Sequence, residues 1–122
     1  MVADDSGQVR RLLNRLLAGL KGLELVAEAR DGCQALVAIR RVQPDVVILD
    51  IRMPRMNGLE VLRTLQSQAA PCKVIVFSQL GDEVYRKKCE ELGAHAFFDK
   101  VADFDDFQQA LKRLPSEFQP PA

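Results

Sequence analysis

The chain has 122 residues and sets 17 Lys and Arg against 17 Asp and Glu. That length suits one compact domain with a single core and no need of staples. A balanced charge leaves no basic field to hold nucleic acid by counter-ion release, and no apolar stretch approaches the roughly 18 residues of a membrane span.

In chain order, Met1-Val2-Ala3 reads as a very short first strand that runs straight into Asp4-Asp5, which suggests a trimmed or misassigned start. Ser6 is placed as the N-cap of a helix in which Val9, Leu12, Leu13, Leu16 and Leu17 recur at helical spacing; residues 19–22 end it. Residues 23–29 read as a second strand with Leu23, Leu25 and Ala27 on one face. After a turn at Asp31-Gly32, residues 33–41 form a helix offering Leu36, Val37 and Ile39 for burial, and Pro44 stops it. Val46-Val47-Ile48-Leu49 is the continuous aliphatic run of a central strand covered on both faces. Residues 50–58 are a loop rich in Arg, Met and Pro, and a helix follows over 59–66 with Leu59, Leu62 and Leu65 on one side. Pro71 precedes a strand at 73–77. A fourth helix over 82–92 is closed by Gly93 at its C′ position. A fifth strand at 96–98 leads to a last helix over 104–114 with Phe104, Phe107, Leu111 and Leu114 as its buried stripe. Pro115, Pro120 and Pro121 are expected to end regular structure, giving one domain over 1–114 and a Pro-rich tail over 115–122 with no output domain.

The alternation is βα repeated five times. Right-handed crossovers then make an α/β fold, a doubly wound parallel sheet with helices on both faces. Cys33, Cys72 and Cys89 are widely spaced and show no metal spacing, so they read as free buried thiols in a reducing cytoplasm. No basic segment followed by a long apolar one opens the chain, so no signal peptide is expected.

Four apolar runs each end in a residue useful for phosphoryl chemistry. They lead into Asp4-Asp5, Asp50, Ser78 and, past Asp99, Lys100. Parallel neighbours would bring all four to the carboxyl edge of the sheet, where open α/β sheets bind ligands. Asp5 and Asp50 with Asp4 beside them would form a hard all-oxygen site suited to Mg²⁺. A second oxygen of Asp50 could attack a phosphoryl group, Lys100 would add a point charge and Ser78 a hydroxyl. Taken singly, each Asp is an ordinary turn former or helix cap, Lys100 a solvated lysine and Ser78 a cap; the four strand ends together argue for a site.

These residues resemble the receiver domain of two-component response regulators. The resemblance rests on Val2-Ala3-Asp4-Asp5, on the segment from Val46 to Glu60, on Val74-Ile75-Val76-Phe77-Ser78 and on Gly93-Ala94-His95-Ala96-Phe97-Phe98-Asp99-Lys100. It implies a flavodoxin-like (βα)5 sheet in strand order 2-1-3-4-5. It also implies that Asp50 accepts phosphate from a histidine kinase or a histidine phosphotransfer protein. Asp5 and Asp50 would bind Mg²⁺ directly and Asp4 through water, with the backbone carbonyl of Arg52 completing the set. Ser78 and Lys100 would contact the phosphoryl group, and Phe97 would be the switch aromatic. The face of the fourth helix, fifth strand and fifth helix would then control an unknown downstream protein or form a homodimer. Such a receiver catalyses its own phosphorylation and dephosphorylation without turning over external substrates.

Two departures matter. Val101 follows Lys100 where receivers commonly carry proline, often with a cis bond; a non-proline cis bond costs about 2.5–4 kcal/mol, so a trans bond and an altered loop are expected. Arg52 lies where receivers tune the access of water, and its side chain is expected to shield the phosphoryl group. His95 reads as a surface residue, Met53 and Met56 as packing of an exposed loop, and Tyr85-Arg86-Lys87-Lys88 as a solvated helix face. A receiver cut from a longer regulator, a DNA-binding one included, is the close alternative. An aspartyl-phosphate phosphohydrolase is the distant one, since it needs a carboxylate where Arg52 stands. A degenerate receiver used only as a scaffold would not need the intact acidic set.

Overall fold

The computed structural model describes residues 1–79 and 83–118. Among them, strands β1 (Val2–Ala3), β2 (Glu28–Ala29), β3 (Val46–Leu49), β4 (Lys73–Ser78) and β5 (Ala96–Asp99) alternate with helices α1 (Gly7–Ala18), α2 (Gly32–Val42), α3 (Gly58–Ser67), α4 (Glu83–Glu91) and α5 (Phe104–Glu117). The strands are all parallel and lie in the order β2-β1-β3-β4-β5. This is the doubly wound, flavodoxin-like order expected from the sequence.

Local chemistry starts the helices. The Ser6 hydroxyl accepts the Val9 N–H, the Asp31 carboxylate the Gln34 N–H and the Asn57 side chain the Glu60 N–H. Each cap satisfies one of the donors that a helix start leaves unpaired. Strand periodicity then sorts the sheet's side chains onto two faces. Val2, Ile48, Ile75 and Phe77 pack with Leu13 and Leu17 of α1 and Phe107, Leu111 and Leu114 of α5. Ala3, Val47, Leu49, Val74 and Val76 pack on the other side with residues such as Leu36, Leu62 and Cys89 from α2, α3 and α4. Phe77 and Phe107 stack at 4.0 Å between ring centroids.

Several expectations are corrected. Of residues 23–29, only Glu28–Ala29 pairs as strand, and Leu23 and Leu25 pack in one core cluster while Ala27 packs in the other, not on one face; β1 begins at Val2, whose N–H meets the Ala27 carbonyl, and a parallel strand extends only as far as its neighbour. Val37 is 60% exposed and Leu12 40%, because the apolar stripe of each helix is wider than the face its sheet covers. Cys33 is exposed and Cys72 half-buried, so only Cys89 is the buried thiol expected. The fourth helix is described from Glu83, and Asp82 lies outside the described residues, as do Pro120 and Pro121.

Pro115 does not end α5, which continues to Glu117. Tertiary contacts hold this last turn. Lys73 Nζ lies 2.9 Å from the Glu117 carboxylate and 5.0 Å from the Phe118 ring centroid, and His95 Nε2 lies 3.7 Å from the same carboxylate. These ties offset the backbone hydrogen bond that proline cannot donate. No helix among the described residues is long and apolar enough to cross a membrane.

The stacked pair makes the α1/α5 layer depend on one ring. Phe107 is fully buried, and Phe107→Ala is expected to cost about 3–5 kcal/mol in urea unfolding; a loss below 1 kcal/mol would contradict this packing.

Candidate functional site

Parallel register sets the site. Val2 pairs with Ile48 and Ala3 with Leu49, while Leu49 pairs with Val76 and Ser78 with Asp99. The residues that follow or end these strands therefore converge at one edge. Asp4 and Asp50 are both buried, and Asp5 beside them is exposed. One oxygen from each of the three carboxylates lies within 4.8 Å of the other two.

The fifth strand supplies the counter-charge. Lys100 Nζ sits 2.8 Å from Asp4 Oδ2 and 3.4 Å from Asp50 Oδ2, with its side chain only 12% exposed. Ser78 Oγ donates to Asp50 Oδ1 at 2.8 Å. The other Asp4 oxygen accepts the Ser6 N–H at 2.9 Å. Arg10 of α1 donates to the Asp4 backbone carbonyl at 2.7 Å and pairs with Glu28 at 3.5 Å, tying the first acidic residue to both its helix and the sheet edge. Burial pushes the Asp50 carboxyl above its usual range, and the neighbouring Asp4 charge pushes it the same way. Lys100 and the Ser78 hydroxyl pull it back only in part.

The 51–57 loop is held close to these groups. Gly58 donates its N–H to the Ile51 carbonyl, and a Cβ there would overlap the carbonyl of Asp50. Gly32 donates to the Met56 carbonyl at 2.9 Å, again where a Cβ has no room. Arg55 reaches Asp31 at 3.4 Å. Met53 is buried and Met56 half-buried, so the loop is less exposed than its composition suggests. Arg52, two residues past Asp50 in the chain, is exposed.

The bond before Val101 is trans, as expected, and carboxylates organise the turn after Lys100. No cis peptide bond occurs among the described residues. The Asp99 carboxylate accepts the N–H groups of Val101 and Ala102, each at 2.9 Å. The Asp103 carboxylate accepts the Asp99 N–H at 2.9 Å rather than capping α5. Proline at 101 would have no N–H to give. His95 is exposed, as expected, and pairs with Glu117.

Sequence reasoning missed Arg86. Its neighbours Tyr85 and Lys87 are exposed, but the Arg86 guanidinium lies 4.8 Å from the Phe97 ring centroid and donates to the Phe97 carbonyl at 3.0 Å and to Asp103 at 3.1 Å. Periodicity marks such a residue only as polar. Phe97 itself is buried in the core with Val76 and Cys89. A cavity of about 460 Å³ lies at the opposite edge of the sheet, lined by Met1, Asp45, Leu111 and Phe118 among others, and has no part in the acidic cluster.

The arrangement can hold a hard cation on oxygen and present a carboxylate to an electrophile beside a fixed ammonium and hydroxyl. Known proteins carry the same frame. The response regulator receiver domain family matches residues 1–112. The protein-glutamate methylesterase/protein-glutamine glutaminase 5 of Myxococcus xanthus is 46% identical over 83 residues, covering 68% of this chain and 24% of that protein. The response regulator domain of Thermotoga maritima CheB is 29% identical with a TM-score of 0.83, over 98% of this chain and 96% of that one. A chain of the CheX–CheY–BeF3–Mg²⁺ complex from Borrelia burgdorferi is 30% identical with a TM-score of 0.82, over 98% of this chain and 87% of its own. The chain belongs to the response regulator receiver domain family. It spans about a quarter of the length of the methylesterase relatives it matches.

Because Asp50 is raised in the folded state, the native chain binds more protons than the unfolded one between the usual aspartate range and the raised value. Stability from this group therefore falls as pH rises through that window. Asp50→Asn is expected to stabilise the ion-free fold by about 1 kcal/mol at neutral pH. The gain should vanish as pH drops below the usual aspartate range, which paired thermal melts at pH 7 and in acid will check. Val101→Pro removes one N–H from the Asp99 carboxylate and is expected to cost about 1 kcal/mol in the same melts.

Proposed function

We propose that the chain is a phosphorylation-dependent signalling switch in which Asp50 accepts a phosphoryl group from a histidine kinase or a histidine phosphotransfer protein. The observation that carries this reading is the convergence on Asp50 of the Lys100 ammonium and the Ser78 hydroxyl, next to two further carboxylates. Asp50 attacks phosphorus through a carboxylate oxygen, and the bond from phosphorus to the donor breaks. Lys100 and Ser78 hold the phosphoryl oxygens as charge moves onto them.

The donor set of Asp4, Asp5 and Asp50 is all oxygen and suits Mg²⁺. Asp5, Asp50 and the Arg52 carbonyl would hold it directly, and Asp4 would act through water. When bound, the ion supplies positive charge against the incoming phosphate. Asp4 orients Lys100, and Ser6 and Arg10 in turn hold Asp4.

A bound phosphoryl group brings close to two negative charges to a buried edge. Ser78 and Lys100 must shift to meet it, Phe97 follows as the switch aromatic, and the face of α4, β5 and α5 changes its fit to a downstream protein or a second copy. Val84 of α4 and Val101 of the turn after β5 are exposed. The chain completes its own phosphorylation and dephosphorylation in the cytoplasm and turns over no external substrate, since Arg52 stands where a phosphohydrolase needs a carboxylate. The same chemistry serves a receiver that stands alone and one joined to an output domain.

Incubation with Mg²⁺ and a small phosphodonor is expected to add one phosphate by intact mass, and none in Asp50→Asn. An adduct that survives in Asp50→Asn overturns the assignment. Lys100→Ala should slow the reaction on the order of 10²-fold. Arg52→Ala should speed loss of the phosphate, because the cationic side chain two residues past Asp50 would no longer screen it from water; an unchanged rate removes that role from Arg52.

A further inference from the structure

We infer that Arg86 is a positioning residue that latches α4 to the turn carrying Lys100. Among the described residues its guanidinium meets a ring, a carbonyl and a carboxylate. It lies 4.8 Å from the Phe97 ring centroid, donates Nη1–H to the Phe97 carbonyl at 3.0 Å, and donates Nη2–H to Asp103 Oδ2 at 3.1 Å. Planar geometry lets arginine do this; a lysine ammonium has no fork with which to span a carbonyl and a carboxylate while lying over a ring.

The Asp103 oxygen that Arg86 holds also accepts the Asp99 N–H, at 2.9 Å. Asp99 Oδ1 holds the N–H groups of Val101 and Ala102. Lys100 lies between these clamped residues and donates its own N–H to the Ser78 carbonyl at 2.9 Å. A continuous chain of contacts therefore runs from Arg86 through Asp103 and Asp99 to the backbone from which the Lys100 side chain reaches Asp4 and Asp50. The same guanidinium covers the ring of Phe97 and fixes its carbonyl, keeping the ring in the core. In this chain the turn is organised by carboxylates and closed from α4, and Val101 supplies an N–H that this scheme uses.

The consequence deepens the phosphoacceptor reading and rests on it. A shift of Lys100 toward a phosphoryl group pulls on Asp99 and Asp103, and Arg86 passes that displacement to α4. Spatial continuity alone does not establish coupling, so the test must measure it.

Arg86→Ala and Arg86→Lys are compared with the parent chain after 4-fluorophenylalanine replaces its six phenylalanines, with Phe97→Leu assigning one resonance. In both Arg86 variants the Phe97 resonance is expected to shift or broaden. Hydrogen-exchange protection of the Asp99 amide should fall about tenfold, as for loss of a charge-assisted hydrogen bond. Mg²⁺ affinity of the acidic cluster should stay within about twofold, since its ligands sit on other strands; a merely structural defect would weaken Mg²⁺ binding as well. An unchanged Phe97 resonance and unchanged Asp99 protection in folded Arg86→Ala overturn the latch. If Arg86→Ala does not fold cooperatively, Asp103→Asn cuts the same link from the other end and is judged by the same readouts. A second arm adds beryllofluoride with Mg²⁺. Amide shifts in α4 are expected in the parent and should shrink at least twofold in Arg86→Lys, and shifts of equal size in both overturn the coupling. A parent chain that gives no shift anywhere at the acidic edge counts against Asp50 as phosphoacceptor, while the first arm alone then decides the latch.

Discussion

Two buried carboxylates, Asp4 and Asp50, face one another across adjacent strands, with a single lysine between them. Like charges at such a distance, out of water, oppose folding unless something offsets them. Lys100 does so in part, but Asp50 remains displaced toward its protonated form. The native state thus holds unrelieved repulsion at one edge of its sheet. That repulsion is a reservoir of affinity for a cation, and it makes a covalent change on Asp50 an event the rest of the domain must accommodate.

The rest of the fold can be read as support for that edge. Two glycines let backbone approach where no side chain fits, Gly58 beneath the Asp50 carbonyl and Gly32 against Met56. Arg10 and Ser6 fix Asp4 from the helix that follows it. Two further acidic residues, Asp99 and Asp103, accept the backbone N–H groups of the turn that aims Lys100. None of these residues would touch the phosphate in the proposed mechanism. They set where the groups that do so stand, and pre-organisation of this kind spares the site reorganisation at the moment of reaction.

The sequence carried the fold well because its strongest signals are periodic. The Val46–Leu49 run, the cap at Ser6 and the Phe107–Leu111–Leu114 stripe all appear where local patterning put them. It carried the acidic cluster because four strand ends in one parallel sheet must share an edge. It failed where the deciding contact is distant in sequence. Pro115 looked terminal, yet Lys73 and His95 hold the turn beyond it. Arg86 looked like one cation in a solvated run, and only the packing of α4 on β5 places it over Phe97. Residues 23–27 alternate as a strand should, but pairing depends on the length of the neighbour, which no local window contains.

The thiols differ sharply in chemistry. Cys89 is buried, with its acidity pushed down to a pKa of about 11, and Cys72 is half-buried and shifted the same way. Cys33 alone is exposed, one residue past the Gly32 that grips the loop carrying Arg52. Since the thiolate is the reactive species, a maleimide dye will go to Cys33 first. The wild-type chain therefore carries a native attachment point for a fluorophore, from which ion capture and the proposed acylphosphate formation could be followed optically without a substitution.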